Sequence, residues 1–498
     1  MARWNRVDLS SQDRGQRTTD PNCGRLSRRA LLGCASTALA SAAPRKRPNL
    51  LYVFPDQWRA QALGFMQQDP VQTPVLDAFA KQSLVLTHAI SNAPVCSPYR
   101  AMLMTGRYPL SNGVTRNCTN ANGVPASDLR QTDPCFPDVL NRAGYSLGYI
   151  GKWHLDTPHQ PFIDTSNNRG NVKWNEWTPP ERRHGFDYWH AYGTYDQHNA
   201  PQYWENDAPR ERRVTASKWG PEYETDLAIR YLRNEGGKFR RPDEPFALFV
   251  AHNPPHTDYR QVPDRYVQRY AGKSWSDLIN RPNFDAAADT KLIRACKEDI
   301  RYYFAQITGV DEQFGRLLRT LDETGLAEDT IVVFTSDHGN CVGCHNEITK
   351  NNPYDESLRV PFLVRWPGAI RPRRDDLLLS TPDIMPTLLG LAGLEGATPR
   401  EVEGTNYAAL FRGGQQKRPT SALYFQAERN ERGVRTHRYT LAFSNQGGAP
   451  RTLLFDNTAD PYQMHNLADS RPELVRQLAT GELEAWLRRT RDPWKSTI

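Results

Sequence analysis

Four short apolar runs recur along the chain, and each breaks off into polar residues able to do chemistry. Residues 49–54 end in Pro55-Asp56-Gln57, and residues 145–150 end in Gly151-Lys152-Trp153-His154. Residues 246–251 end in His252-Asn253-Pro254-Pro255-His256, and residues 330–335 in Ser336-Asp337-His338-Gly339. Unbroken apolar runs of this length predict parallel strands buried on both faces. Helical patterns over 73–83 and 299–323 lie between them, which predicts an α/β fold with a mainly parallel central sheet. In open α/β sheets ligands gather at the carboxyl ends of the strands, so the four polar endings are expected to share one face. From about residue 413 the pattern changes to short strands over 421–425, 438–443 and 451–455, followed by one helix over 472–490. This predicts a small C-terminal α+β subdomain over 413–498, an antiparallel sheet with one helix, beside a catalytic domain over 48–412.

Residues 157–220 show no period but hold Trp174, Trp177, Trp189 and Trp204 among several tyrosines. So many aromatics must be covered, which predicts a folded insertion in which most of them pack and a few form a stacking platform for a sugar.

Charge sharpens the picture at the N-terminus. The net charge is +7, and residues 1–47 hold ten Lys/Arg against three Asp, the whole surplus. The remainder is formally neutral, which gives no support to nucleic-acid binding. Residues 1–43 contain a predicted export signal: Arg28-Arg29 as a twin-arginine pair, a weakly apolar core over 30–39, and the small residues Ala40-Ser41-Ala42 as a cleavage site. The core is too short to span a membrane. Leu31-Leu32-Gly33-Cys34 follows the arginines too closely for a lipoprotein box. The expected location is therefore periplasmic or secreted, with the export machinery as a partner. Of the eight cysteines, Cys118 and Cys135 flank a polar loop and are candidates to pair in an oxidising compartment. Cys296 falls in a helical pattern and reads as a core residue.

Residues 92–109 carry the most specific signal. Cys96, Pro98 and Arg100 form a Cys-x-Pro-x-Arg box, followed by Leu103-Met104-Thr105-Gly106-Arg107. Pro98 suits the first turn of a helix, which places Cys96 at that helix's mouth, where the dipole and Arg100 favour negative charge. A helix over 100–106 with Met102 and Leu103 on its apolar side follows.

This box resembles that of the sulfatase family, and the resemblance runs from about Pro48 to the C-terminus. It implies an alkaline-phosphatase-like α/β/α sandwich and a sulfuric ester hydrolase. It also implies that a maturation enzyme oxidises Cys96 to Cα-formylglycine, whose hydrate is the nucleophile. Such an enzyme needs the Cys96 segment accessible, so conversion is expected before folding and export. By the same resemblance Asp56, Gln57, Asp337, His338 and the oxidised Cys96 hold one divalent metal. Carboxylate oxygens suit Ca²⁺ or Mg²⁺, while Gln57 in place of a second aspartate, together with His338, leaves Mn²⁺ open. Arg100 stabilises the hydrate, Lys152 grips sulfate, and His154 removes the hydrate's second proton. His256 and Lys350, four residues before Tyr354-Asp355-Glu356, contact sulfate and the leaving oxygen, with His256 as general acid.

A sulfated carbohydrate is the expected substrate. The first rival is hydrolysis of phosphonate or phosphate esters, because relatives with that activity share the Cys box and an Asp-Gln pair; Gly151-Lys152-Trp153-His154 favours sulfate. The second is a non-catalytic binding or c-type haem protein, since Cys341-Val342-Gly343-Cys344-His345 fits the Cys-x-x-Cys-His attachment pattern.

Overall fold

The apolar runs become the middle of one large sheet. The computed structural model describes residues 47–445 and 450–495; the predicted export signal lies outside them. The longer strands of the central sheet are β1 (Asn49–Val53), β2 (Leu84–Ile90), β3 (Ser146–Lys152), β4 (Tyr188–Tyr192), β5 (Gln202–Glu205), β6 (Phe246–Ala251), β7 (Thr330–Thr335), β8 (Phe362–Arg365) and β9 (Arg373–Ser380). Together with two-residue strands they form an eleven-stranded sheet. Its heart is the parallel block β7-β1-β6-β3-β4. Strand β8 runs antiparallel to β7 and β2, and β5 antiparallel to β4, so the sheet is mainly rather than wholly parallel. In register Val53 lies opposite Val250 and Phe334, and Ala251 opposite Gly151. The four polar endings therefore reach one edge together.

Successive residues of each central strand enter opposite cores. Leu50, Tyr52 and Phe54 pack on one side, and Leu51 and Val53 on the other. Burial on both faces explains why the runs are apolar at every position, each such side chain contributing about 1.5–3 kcal/mol. The longer helices packed on this sheet are α1 (Pro74–Ala80), α2 (Cys96–Thr105), α3 (Phe136–Arg142), α4 (Gly220–Arg233), α5 (Lys291–Glu323) and α6 (Ile384–Leu391). Helices α2, α3 and α6 cover the first face, and α1, α4 and α5 the second. Helix α5 starts at Lys291 rather than near 299, because Thr290 caps it by accepting the Ile293 N–H at 3.2 Å and Ile293 and Cys296 already bury against Phe284. Cys296 is a core residue, as its pattern implied.

Residues 157–220 are not a separate insertion. Strand β4 runs through their middle and extends the parallel block beside β3. Trp189 lies in the first core, stacked 5.4 Å from Tyr149, and Trp204 is equally buried. Cys118 and Cys135 are free thiols rather than a disulfide. Cys118 donates to the Ser127 carbonyl, and Cys135 stands at the N-cap of α3.

Beyond residue 413, β10 (Ser421–Gln426), β11 (Glu431–Thr436), β12 (Tyr439–Ser444) and β13 (Arg451–Asp456) form an antiparallel sheet. The helix expected over 472–490 is interrupted: α7 (Pro472–Leu478) and α8 (Glu484–Arg489) are joined by a π-helical turn, Ala479–Leu483. Both pack on this sheet together with Met102 of α2.

A buried charge cluster clasps the two sheets. Arg435 of β11 grips Asp355 through two bonds of 2.9 and 3.2 Å, and Arg359 adds a third at 3.2 Å. Next to it, Glu356 accepts from Arg281 at 2.6 Å and from Asn283 at 2.7 Å. The Glu356 carbonyl also receives the Asn340 N–H at 2.6 Å, which ties the clasp to the loop after β7.

Candidate active site

The floor of the site is built by α2 and the ends of β1, β3 and β7. Val95 is extended and Cys96 opens α2, so the thiol sits at the helix mouth as the Pro98 pattern implied. Gly106 ends the helix in the left-handed conformation, with φ of 64°. Cys96 Sγ lies 3.3 Å from His338 Nε2, 3.6 Å from Lys152 Nζ and 3.7 Å from Asp56 Oδ1. Arg100, four residues along the same helix, reaches Asp56 at 3.1 Å and Asp337 at 3.2 Å, and donates to the Lys152 carbonyl at 2.5 Å. Lys152 pairs with Asp56 at 2.7 Å and donates to Asn253 at 3.2 Å. Gly151 makes this approach possible, since a Cβ there would run into the Ala251 carbonyl and its φ is 104°.

The charges on this floor are unevenly matched. Burial and the neighbouring Asp56 push Asp337 up to about 6, against the pull of His338 and Arg100. Asp56 faces the same burial, but Lys152, His256, His338 and Arg100 hold it well below the usual carboxylate range. Burial opposes the Lys152 charge as well, and Asp56, Cys96 and Asp337 together more than restore it. Two carboxylates converging this closely call for a cation between them. Ligand atoms of Asp56, Cys96, Asp337 and His338 all lie within 4.8 Å of one another. His338 Nδ1 faces the Gly339 carbonyl at 3.0 Å, an acceptor only, so Nδ1 carries a proton and Nε2 is the ring atom turned to the cluster, where it would ligate a metal. The donor set fits a divalent metal.

Gln57 enters differently from the expectation. Its backbone N–H donates to Asp337 Oδ1 at 3.0 Å, while its side chain accepts from Lys350 at 2.6 Å and donates to Tyr259 at 3.0 Å. His154 is buried beside the Cys96 thiol, with no close hydrogen bond to either ring nitrogen, and burial pulls it down to about 4 against the opposing pull of Cys96. A group bound above the floor would meet those bare nitrogens.

The rim holds His256 and Lys350, with His256 Nε2 3.1 Å from Lys350 Nζ. Burial, Lys350 and Lys152 oppose charge on His256, Asp196 and Asp56 favour it, and the balance of all its surroundings raises it to about 9. All ten residues singled out in the sequence thus gather at one sheet edge, linked by direct contacts or, for His154, by adjacency to Lys152. Sequence reasoning missed Asn253, Tyr259 and Asp196. Asn253 stood inside a quoted strand ending, whereas Asp196 lies in an aperiodic stretch with no local signal. Of the four tryptophans named there, Trp174 is the one beside the site, half-buried with its ring 6.4 Å from His154. The haem-attachment pattern is filled by packing: Cys341 contacts Asn352, Cys344 lies against Arg59, and His345 stacks on Tyr354 at 3.6 Å.

A mainly parallel sheet between helical layers, with a metal-fitting acidic pair at its strand ends, defines a hydrolase of the alkaline-phosphatase-like fold. Residues 48–394 match the sulfatase family, and residues 343–489 match the region described as N-sulphoglucosamine sulphohydrolase, C-terminal. The chain is 42% identical over 491 residues to an endo-4-O-sulfatase of Bacteroides thetaiotaomicron, covering 90% of this chain and 93% of that one. It is 34% identical over 453 residues to an ulvan-active sulfatase of Formosa agariphila, covering 89% and 80%. A crystal structure of a sulfatase, described as putative, from Bacteroides fragilis superposes with a TM-score of 0.85 at 43% identity, covering 92% of this chain and 98% of that one. The chain belongs to the sulfatase family and is a sulfuric ester hydrolase.

Proposed function

We propose that this enzyme removes sulfate from sulfated carbohydrates, with a formylglycine made from Cys96 and one divalent metal, Ca²⁺ before Mn²⁺ or Mg²⁺. The observation that carries the reading is the placement of Cys96 Sγ within reach of His338, Lys152 and Asp56 at once. Its sulfur marks the place an oxygen of the converted side chain would take. The metal, held by Asp56, Asp337 and His338 with Gln57 beside them, would polarise the sulfate oxygens, and the formylglycine hydrate would supply the nucleophilic oxygen.

The chain's own residues divide the remaining work. Arg100 bridges both carboxylates and fixes the floor. Lys152 presents a permanent positive charge to the non-bridging oxygens, in a dry site where charge acts strongly. His154, neutral and unpartnered, is suited to take a proton from the group at position 96. His256 and Lys350 flank the position of the leaving oxygen. The sulfated-carbohydrate reading is supported by the printed names of the two relatives and by Trp174 at the mouth. Residues 1–43 support export to the periplasm or beyond, through the export machinery and after a formylglycine-generating enzyme has acted.

The test is peptide mass spectrometry of the Cys96 fragment from the native host, with rates on sulfated polysaccharide fragments and an aryl phosphonate. Loss of sulfur with gain of an aldehyde, and faster turnover of the sulfate esters, is the expected result. Cys96→Ala should lose more than about a thousandfold in kcat. A plain thiol in active enzyme, or preference for the phosphonate, would overturn the reading.

A further inference from the structure

We infer that Asp196 is the positioning residue for His256, and that this pair builds the site for sulfate esters of alcohols such as sugar hydroxyls rather than of acidic phenols. The inference rests on the sulfatase reading above. Asp196 Oδ1 lies 3.1 Å from His256 Nδ1. The Thr257 carbonyl, 3.0 Å from the same nitrogen, is also an acceptor, so Nδ1 carries a proton and Nε2 is the end turned toward Lys350. In this contact the Lys350 ammonium, a donor only, holds the Nε2 lone pair. A leaving oxygen placed between them would take over the Lys350 donor, and Nε2 would meet it as a second donor once the ring has taken up a proton.

Asp196 is itself held from three directions. Its N–H donates to Asn167 Oδ1 at 3.1 Å, its Oδ2 accepts from Asn167 Nδ2 at 3.3 Å, and its carbonyl accepts from Gln261 at 3.0 Å. His198 adds a stitch to the facing loop through the His256 and Thr257 carbonyls at 3.1 and 3.0 Å. The charged and titratable groups around the His256 ring are Lys350 from the loop after β7, Lys152 from β3, Asp56 from β1, and Asp196 and His198 from the segment after β4. The two lysines disfavour imidazolium and the two carboxylates favour it. Asp196 is the carboxylate that touches the ring.

A protonated donor at this point has a chemical meaning. A nitrophenolate departs unaided, whereas a sugar alkoxide is far too basic to leave without a proton. As the S–O bond breaks, its electron pair passes to the bridging oxygen, which takes the Nε2 proton and leaves as the alcohol. The sulfuryl group goes to the attacking oxygen. His256 ends neutral, its Nδ1–H on the Thr257 carbonyl with Asp196 Oδ1 alongside.

The experiment compares Asp196→Asn and Asp196→Glu with wild type as metal-loaded, converted enzyme, on a sulfated oligosaccharide and on 4-nitrophenyl sulfate. Asp196→Asn should lose about 10²-fold in kcat on the oligosaccharide, at the lower end of what a general acid contributes. On the aryl ester it should lose less than about fivefold, by the same leaving-group argument. The alkaline limb of its oligosaccharide kcat profile should move to lower pH, and Asp196→Glu should recover part of the loss. Equal losses on both substrates, or an unmoved pH profile, would sink the inference and leave the sulfatase reading intact. A wild-type enzyme that turns over neither ester would overturn that reading instead.

Discussion

Two clusters of buried charge, each pairing carboxylates with arginine, are tied together through the loop after β7 and behave in opposite ways. In the clasp between the sheets each carboxylate has its own guanidinium. Burial works against Asp355, but Arg435 and Arg359 draw it down to about 2, and Arg281 with His345 and Asn283 holds Glu356 well below the usual carboxylate range. On the catalytic floor two carboxylates share Arg100, and Asp337 is driven up rather than down. The clasp is closed and self-sufficient; the floor crowds two carboxylates onto one guanidinium. Buried ion pairs are weak evidence of function by themselves. What separates the two is unmet demand: crowded like charges and a histidine with both nitrogens bare.

Variants at the two clusters should therefore fail differently. The largest stability effect is expected from Arg435→Ala, which strands Asp355 and should cost about 3–5 kcal/mol in urea unfolding. The folded-state value of Asp355 lies below its unfolded value of about 4. Its stabilisation, about 2 kcal/mol, is present above pH 4 and lost as pH falls toward 2, and the variant should lack that acid-limb loss. An unchanged unfolding midpoint would erase the distinction between clasp and floor. Asp337→Asn comes next. Metal-free, it should lose less than about 1 kcal/mol, because it removes a like-charge contact. Wild type should gain about 2.7 kcal/mol from calcium at a hundredfold excess over Kd, and the variant should not. A calcium response retained by Asp337→Asn would place the metal elsewhere. The smallest effect is expected from Trp174→Ala: a few-fold to about tenfold rise in KM on an oligosaccharide, as lost stacking allows, with KM on a small aryl sulfate unchanged. Equal rises on both would make Trp174 a packing residue.

The floor was legible in the sequence because each part is local. An apolar run that stops at Asp56, Lys152 or Asp337 announces both the strand and its functional end, and Cys96-x-Pro98-x-Arg100 carries its own helix start. The rim was legible only in pieces. His256 and Lys350 followed from the family resemblance, but nothing near Asp196 marks it, since its role exists only once the segments after β4 and β6 meet. The two-sheet clasp was hidden for the same reason: Asp355 and Arg435 stand 80 residues apart. The aromatic stretch around Trp189 misled in another way. Aromatics demand cover, and here the cover is the main sheet itself, reached by a strand whose alternation was masked by large side chains facing both ways.

The distance along the chain between parts of the floor also sets a clock. His338 closes against Cys96 across 242 residues, and in the finished fold Cys96 is 2% exposed. At a synthesis rate of about 5–20 residues per second, roughly 10–50 s pass between the making of the cysteine and of the histidine that helps seal it. Any enzyme that acts on that thiol has this interval, extended only by a delay in folding. A molecule that misses it closes over its own unused nucleophile.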